Sequence, residues 1–155
     1  MSKIKFAPKE IFQEILKWSV IPTFDLIIKY GDEGILIVKR SIAPYKGQWA
    51  LPGLRMYKPE NINDALKRIA KNELGLTVNP DKKILLGQFV GKFKTENNRQ
   101  DLSTGYFIKV DSKQKYKINS DHFSTHKIID SKRQIPKDIG AMYKYYLNIY
   151  FDKLA

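Results

Sequence analysis

Between Trp49 and Leu76 the chain reads WALPGLRMYKPENINDALKRIAKNELGL, a run whose residue types could hold a metal ion against a diphosphate. Pro52-Gly53 follows the apolar run Trp49-Ala50-Leu51, which marks a strand ending in a sharp turn where a backbone carbonyl can face a cation. Glu60, Arg68 and Glu73 follow in or beside one helical stretch. A carboxylate is a hard oxygen donor suited to Mg²⁺, and a guanidinium fork grips phosphate oxygens or loop carbonyls. Asn61 reads as the helix N-cap and Gly75 as its C-terminal stop, with Ile62, Ala65, Leu66, Ile69 and Leu74 at helical spacing between them. Arg68 and Asn72 then share a polar stripe with Glu73 at its edge. Spacing alone describes an ordinary amphipathic helix with a solvated face equally well.

The arginines and histidines narrow the chemistry. Of 28 basic residues five are Arg (Arg40, Arg55, Arg68, Arg99, Arg133). Arg40 and Arg55 flank the Trp-Pro-Gly turn and read as phosphate contacts, whereas Arg68, on the helix, reads as a structural clamp on loop carbonyls. His122 follows Asp121 in the polar stretch Asn119-Ser120-Asp121. An imidazole titrating near neutrality can take a proton from water while an adjacent carboxylate holds a metal ion, and the same stretch would also suit a surface Asx turn. His126, entering the Lys127–Ile129 strand, has no matching role.

Glu60, Arg68, Glu73, Gly75 and Leu76, with the Trp49–Gly53 lead-in, resemble the Nudix box G-x5-E-x7-R-E-U-x-E-E-x-G-U, where U is aliphatic. Leu54 stands in place of the first Gly, Ile69 in place of the Glu after the Arg, and Asn72 in place of the first Glu of the final pair. The shortened form Arg68-Ile69-Ala70-Lys71-Asn72-Glu73-Leu74-Gly75-Leu76 is similar to the R-x-x-x-x-E-L-G-L of the GDP-mannose mannosyl hydrolases. Phe24–Ile28 resembles that subgroup's first core strand with its buried Asp, and Val38–Trp49 resembles its K-R-x-x-x-P-x-x-G-x-W run. Arg55 matches an Arg just after the Pro-Gly, and Asp121-His122 stands where the subgroup has Gln-His. The likeness covers about Trp18 to Asp130.

The resemblance implies an α/β Nudix fold, a mixed sheet sandwiched between helices. It further implies a Mg²⁺-dependent hydrolase acting on a nucleotide sugar, GDP-mannose or a relative, releasing nucleoside diphosphate and free sugar. The Gly53 carbonyl, Glu73 and Asp121 would hold the metal, Arg40 and Arg55 the departing diphosphate, and His122 would be the base. Asp25 would hold the sugar or orient an Arg, and Glu60 with Arg68 would be structural. The alternatives are a Nudix pyrophosphohydrolase attacking phosphorus and a catalytically degenerate nucleotide-binding protein.

Around these residues the periodicities predict a helix over 8–18, strands over 22–30 and 35–40 about the turn Gly31–Gly34, and the box helix over 61–74. Strands near 84–93, 105–111 and 127–129 and a helix after Pro136 complete the order. Lys94–Ser103 has almost no apolar content and reads as a flexible substrate lid. The C-terminal stripe Tyr143, Tyr145, Tyr146, Tyr150 and Phe151 reads as core packing, although such a stripe would also allow a homodimer.

Composition bounds the rest. At 155 residues one domain over 1–155 with a real core is expected. The chain has no Cys, which excludes disulfides and cysteine nucleophiles and is compatible with a reducing cytoplasm. The basic N-terminus lacks the long apolar core of a signal peptide, and no apolar run approaches a membrane span. The net charge of +12 is spread in ones and twos, without an aromatic-plus-basic nucleic-acid motif, so it reads as a solvated surface that would also attract an anionic nucleotide.

Overall fold

The computed structural model describes residues 3–155. Helix α1 spans Lys9–Trp18, and strands β1 (Ile21–Tyr30) and β2 (Gly34–Arg40) follow. Short strands β3 (Trp49–Ala50) and β4 (Gly53–Arg55) lie either side of Pro52 and lead to helix α2 (Ile62–Leu74). Strands β5 (Ile84–Lys92), β6 (Gln100–Val110) and β7 (Phe123–Ile129) precede the last helix, α3 (Ala141–Lys153).

Among the described residues one mixed sheet of seven strands forms the frame. β1 runs parallel to β6 from Ile21↔Asp101 to Tyr30↔Val110, and β6 is antiparallel to β5. β2 meets β1 only at Lys29↔Ile35 and Tyr30↔Gly34, then diverges to pair with β7 and β3. The edge of β1 that β2 leaves is taken by β4, with Thr23↔Arg55, Phe24↔Leu54 and Asp25↔Gly53. The sheet thus splits beside β4, and the polar residues of the chain's chemistry gather there.

Period-two alternation assigns the two faces. Thr23 and Asp25 of β1, Asp101 and Ser103 of β6, and Gly53 and Arg55 of β4 share the face on which α3 packs. Ser103 Oγ and Tyr146 Oη of α3 lie 2.8 Å apart. Phe24, Leu26 and Ile28 point to the opposite face, and the helices sandwich the sheet between them. A 13-residue helix is marginal in isolation, so packing holds α2: Ala65, Leu66, Ile69, Ala70 and Leu74 are fully buried. A capping box starts it, with Asn61 Oδ1 accepting from Asp64 N (2.9 Å) and Asp64 Oδ2 from Asn61 N (3.1 Å). Gly75 ends it at φ +65°, a left-handed cap in which glycine suffers no Cβ clash.

Three expectations are corrected here. β6 starts at Gln100, so Lys94–Ser103 is a loop only through Arg99. Asp101 and Ser103 are polar yet buried, because Arg99 Nε donates to Asp101 (2.7 Å) and Ser103 Oγ donates to Asp25. β7 likewise starts at Phe123, a buried core residue that follows the polar turn directly. The third concerns Glu73. It is not at the rim of a solvated stripe but 1% exposed, turned into the concavity beside β7. The C-terminal aromatics do pack the core: Tyr143, Tyr146 and Tyr150 are buried, and Tyr145 stays 41% exposed. No helix among the described residues is long and apolar enough to cross a membrane.

Candidate active site

The last turn of α2 and the segment before β7 are built against each other. Lys117 N donates to Leu74 O and Asn119 N to Glu73 O, both at 2.9 Å, so the incoming chain occupies carbonyls that the end of a helix leaves open. Asn119 Oδ1 then accepts from Asp121 N at 3.0 Å, closing an Asx turn. The turn puts Asp121 in solvent and brings His122 inward, where its Nδ1 lies 2.8 Å and 3.1 Å from the two Glu73 carboxylate oxygens. Asn119 Nδ2 donates to the same carboxylate at 3.4 Å. The Asx turn and the His122–Glu73 contact are therefore one feature.

An ionised carboxylate only accepts hydrogen bonds, so this contact places a proton on His122 Nδ1 and leaves the lone pair of a neutral ring on Nε2. Burial raises the Glu73 carboxyl above its ordinary range, and the His122 charge and hydrogen bond, the Asn119 amide and Arg40 oppose the shift.

The expected metal set is only partly assembled. Asp121 is exposed, and no group of three His, Cys, Asp or Glu side chains that could hold a metal ion exists among the described residues. Gly53 lies against Asp25 so closely that an added Cβ would stand 2.2 Å from Asp25 Oδ1, which fixes glycine there by close approach. Position 54 is an ordinary extended residue of β4, so Leu54 leaves the backbone of the turn unstrained.

Of the three arginines at the turn, Arg68 makes the expected structural clamp and Arg40 departs from expectation. Arg68 Nε donates to Glu60 Oε2 (2.6 Å) and its Nη2 to Glu60 Oε1 (3.0 Å) and Arg55 O (2.7 Å), so the pair ties α2 to β4. Glu60 also accepts from Tyr57 N at 2.8 Å. Arg40, expected on phosphate, is instead buried and donates through Nε and Nη2 to the carbonyls of Ile42, Ala43 and Pro44. The loop after β2 turns these carbonyls inward, and a buried cation satisfies them. Arg55 keeps its guanidinium in the site, 3.6 Å over the Phe12 ring and 4.7 Å from that of Tyr57. His126 is apart, 3.1 Å from Tyr116 Oη through Nδ1.

Two cavities meet at His122, which lines both together with Leu54 and Tyr57. The larger, about 630 Å³, has an apolar side with Phe6, Leu54 and Ile118 and a polar side on which Arg68, Lys71, Lys117 and Asn72 stand beside Glu73. The smaller, about 320 Å³, has Asp25, Arg40, Arg55, Arg99 and Asp101 in its walls. Asp25 is deeply buried, and that burial raises its carboxyl to about 7 against the opposing Ser103 hydrogen bond and Arg40 charge, with Asp101 adding to the rise.

Several of these participants escape sequence reasoning. Asn119 was visible only as a member of a polar stretch. Ser103 lay inside the supposed lid and Tyr146 inside an aromatic stripe. Neither had a motif, because its partner is a residue dozens of positions away.

Comparison with known proteins places this architecture. The profile of the NUDIX domain matches residues 21–138. A curated relative, the low-salt glycan biosynthesis protein Agl8 of Haloferax volcanii, is 28% identical over 109 residues, covering 67% of this chain and 68% of the relative. Among solved structures, the MutT NUDIX hydrolase of Burkholderia pseudomallei superposes with a TM-score of 0.73 at 21% identity, covering 84% of this chain and 97% of that one. The MutT protein of Methanosarcina mazei Go1 gives 0.72 at 15% identity, covering 88% and 96%. At these identities the structural likeness speaks for the fold.

Proposed function

This chain belongs to the NUDIX domain family, and from that premise we propose that it hydrolyses nucleoside diphosphate sugars of the GDP-mannose kind by water attack on the anomeric carbon. The observation that carries the reading is His122, held by Glu73 at 2.8 Å where the two cavities meet. A water on the Nε2 side gives its proton to the imidazole as its oxygen bonds to the anomeric carbon. The bond from that carbon to the phosphate oxygen breaks, and the diphosphate leaves with the electron pair. Arg55, in the wall of the smaller cavity beside Tyr57, would receive the developing charge. Asp25 holds the sugar side of the site. Agl8, a relative named for glycan biosynthesis, supports a sugar-bearing substrate.

The donors fit a hard divalent ion that keeps most of its own waters. Glu73 is one buried carboxylate, Gly53 offers a carbonyl, and Asp121 is exposed and part of no group of three ligand side chains among the described residues, so the protein supplies few ligands. Mg²⁺ tolerates this, since it keeps most of its waters and takes phosphate oxygens from a substrate. Bound there, it would supply charge neutralisation for the leaving diphosphate. Attack on phosphorus through a multi-carboxylate cluster finds less support: Ile69 is fully buried in the core, and Asn72 brings an amide where a carboxylate would stand.

The test is product identity. Protein, Mg²⁺ and a panel of nucleotide sugars in ¹⁸O-labelled water should yield nucleoside diphosphate and free sugar, with the label on the anomeric hydroxyl and the anomeric centre inverted. Nucleoside monophosphate with sugar phosphate, or label on phosphorus, would return the chain to the pyrophosphohydrolases. Tight binding without turnover would leave a binding protein.

A further inference from the structure

Three buried side-chain atoms lack a hydrogen-bond partner among the described residues, and two of them, Thr23 Oγ1 and Glu96 Oε1, belong to residues lining the same 320 Å³ cavity. Buried polar groups are nearly always satisfied, so two orphans on one cavity need an explanation. Thr23 is 7% exposed and lies in β1 between Arg55 of β4 and Ser103 of β6, on the same face as Asp25. Glu96 is equally well fixed. Its other oxygen accepts from Arg99 Nη1 at 3.3 Å, and its hairpin carries three successive left-handed residues, Glu96, Asn97 and Asn98, at φ 53°, 62° and 56°. Asn97 Nδ2 donates to Gln13 Oε1 of α1 at 2.8 Å, which docks the hairpin. Left-handed non-glycine residues persist where surrounding contacts over-determine them, and such places cluster at ligand clamps.

The chemistry of the wall selects its ligand. Ionised carboxylates only accept hydrogen bonds, and Glu96 is joined there by Asp101, with Asp25 in the same wall, so a neutral group rich in donors suits this wall better than an anion. Of the guanidiniums in this wall, Arg40 is engaged by loop carbonyls and Arg99 by Asp101 and Glu96, which leaves Arg55 as the one to meet the diphosphate. We infer that Thr23 Oγ1 and Glu96 Oε1 read the hydroxyls of a neutral sugar, seating it in this cavity with its diphosphate directed past His122. This assignment rests on the nucleotide-sugar reading and adds to it the residues that select the sugar.

Titration calorimetry in a His122→Ala background, which slows turnover about 10²–10⁴-fold, tests it with Mg²⁺, GDP and GDP-mannose as probes. The background protein should bind GDP-mannose more tightly than GDP. Thr23→Val keeps the shape and deletes only the hydroxyl, so it should weaken GDP-mannose about tenfold, leave GDP unchanged, and leave the melting temperature level or higher because it removes an orphan polar group. Glu96→Gln should weaken GDP-mannose without affecting GDP. Equal loss for both ligands, or no loss for either, would overturn the inference while the nucleotide-sugar reading survives on turnover by the parent protein. Failure of both ligands to bind would overturn that reading and the inference with it.

Discussion

At the scale of single residues, the site depends on what each polar group faces. His122 owes its tautomer to Glu73, and His126, bound to Tyr116, has no such partner. His122→Ala should therefore lose about 10²–10⁴-fold in kcat with little change in substrate affinity, and should recover at high pH where hydroxide replaces the base. His126→Ala should behave as the parent. A pH–rate profile of His122→Ala identical to the parent's would refute the role. Asp25 gives a second expectation, in stability. Its carboxyl titrates near 7 in the folded protein and at an ordinary 3.8 in the unfolded chain, so between these values the folded state alone holds the proton. Its contribution to stability then falls as pH rises from about 4 to about 7 and stays flat above, a loss of about 4 kcal/mol from a shift of about three units. Ser103, Arg40 and Asp101 are the groups that face it. Asp25→Asn, still able to accept from Ser103, should remove this slope and be more stable than the parent at pH 8. Superimposable pH–stability curves from urea unfolding would sink the assignment.

At the scale of elements, the Glu60–Arg68 pair fastens α2 to the turn that precedes it. The Glu60 side chain is fully buried and that of Arg68 is 11% exposed. Removing one partner strands the other, which typically costs about 3–5 kcal/mol. Arg68→Ala should lower unfolding stability on that scale, and Arg68→Lys, which keeps the charge but not the fork, should fall between; a loss under 1 kcal/mol for Arg68→Ala would show that the strap is idle. Leu54→Gly should retain turnover, because the β4 backbone at 54 is already relaxed, and should lose some stability with the packing of the leucine; collapse of turnover in a folded protein would mean that Leu54 shapes the site. These elements were legible because their signals are local. The α2 caps, the helical spacing of its buried face, the Pro-Gly turn and the His122–Glu73 neighbourhood all follow from short spacings and a family likeness. The start of β6, the inward turn of Glu73, the clamp made by Arg40 and the outward turn of Asp121 did not. Each is decided by a partner brought in by the sheet, and a polar residue satisfied at a distance looks, in sequence, the same as one facing water.

At the scale of the whole molecule, the net charge of +12 has no nucleic-acid motif to serve, yet it surrounds a site proposed to take an anionic diphosphate. Lys71, Lys117 and Arg68 wall the larger cavity, so the local field has the sign of the global one. Long-range attraction acts on the encounter. The chemistry proposed for His122 would take place in a cavity wall, less exposed to salt. Since the screening length shrinks from about 30 Å at 0.01 M to about 8 Å at 0.15 M ionic strength, added KCl should lower kcat/KM for a nucleotide sugar severalfold across that range while kcat stays level. The two parameters separate the causes: a fall in kcat would point to a salt-sensitive catalytic centre. A kcat/KM that does not move would mean that the basic surface is solvation alone and plays no part in gathering substrate.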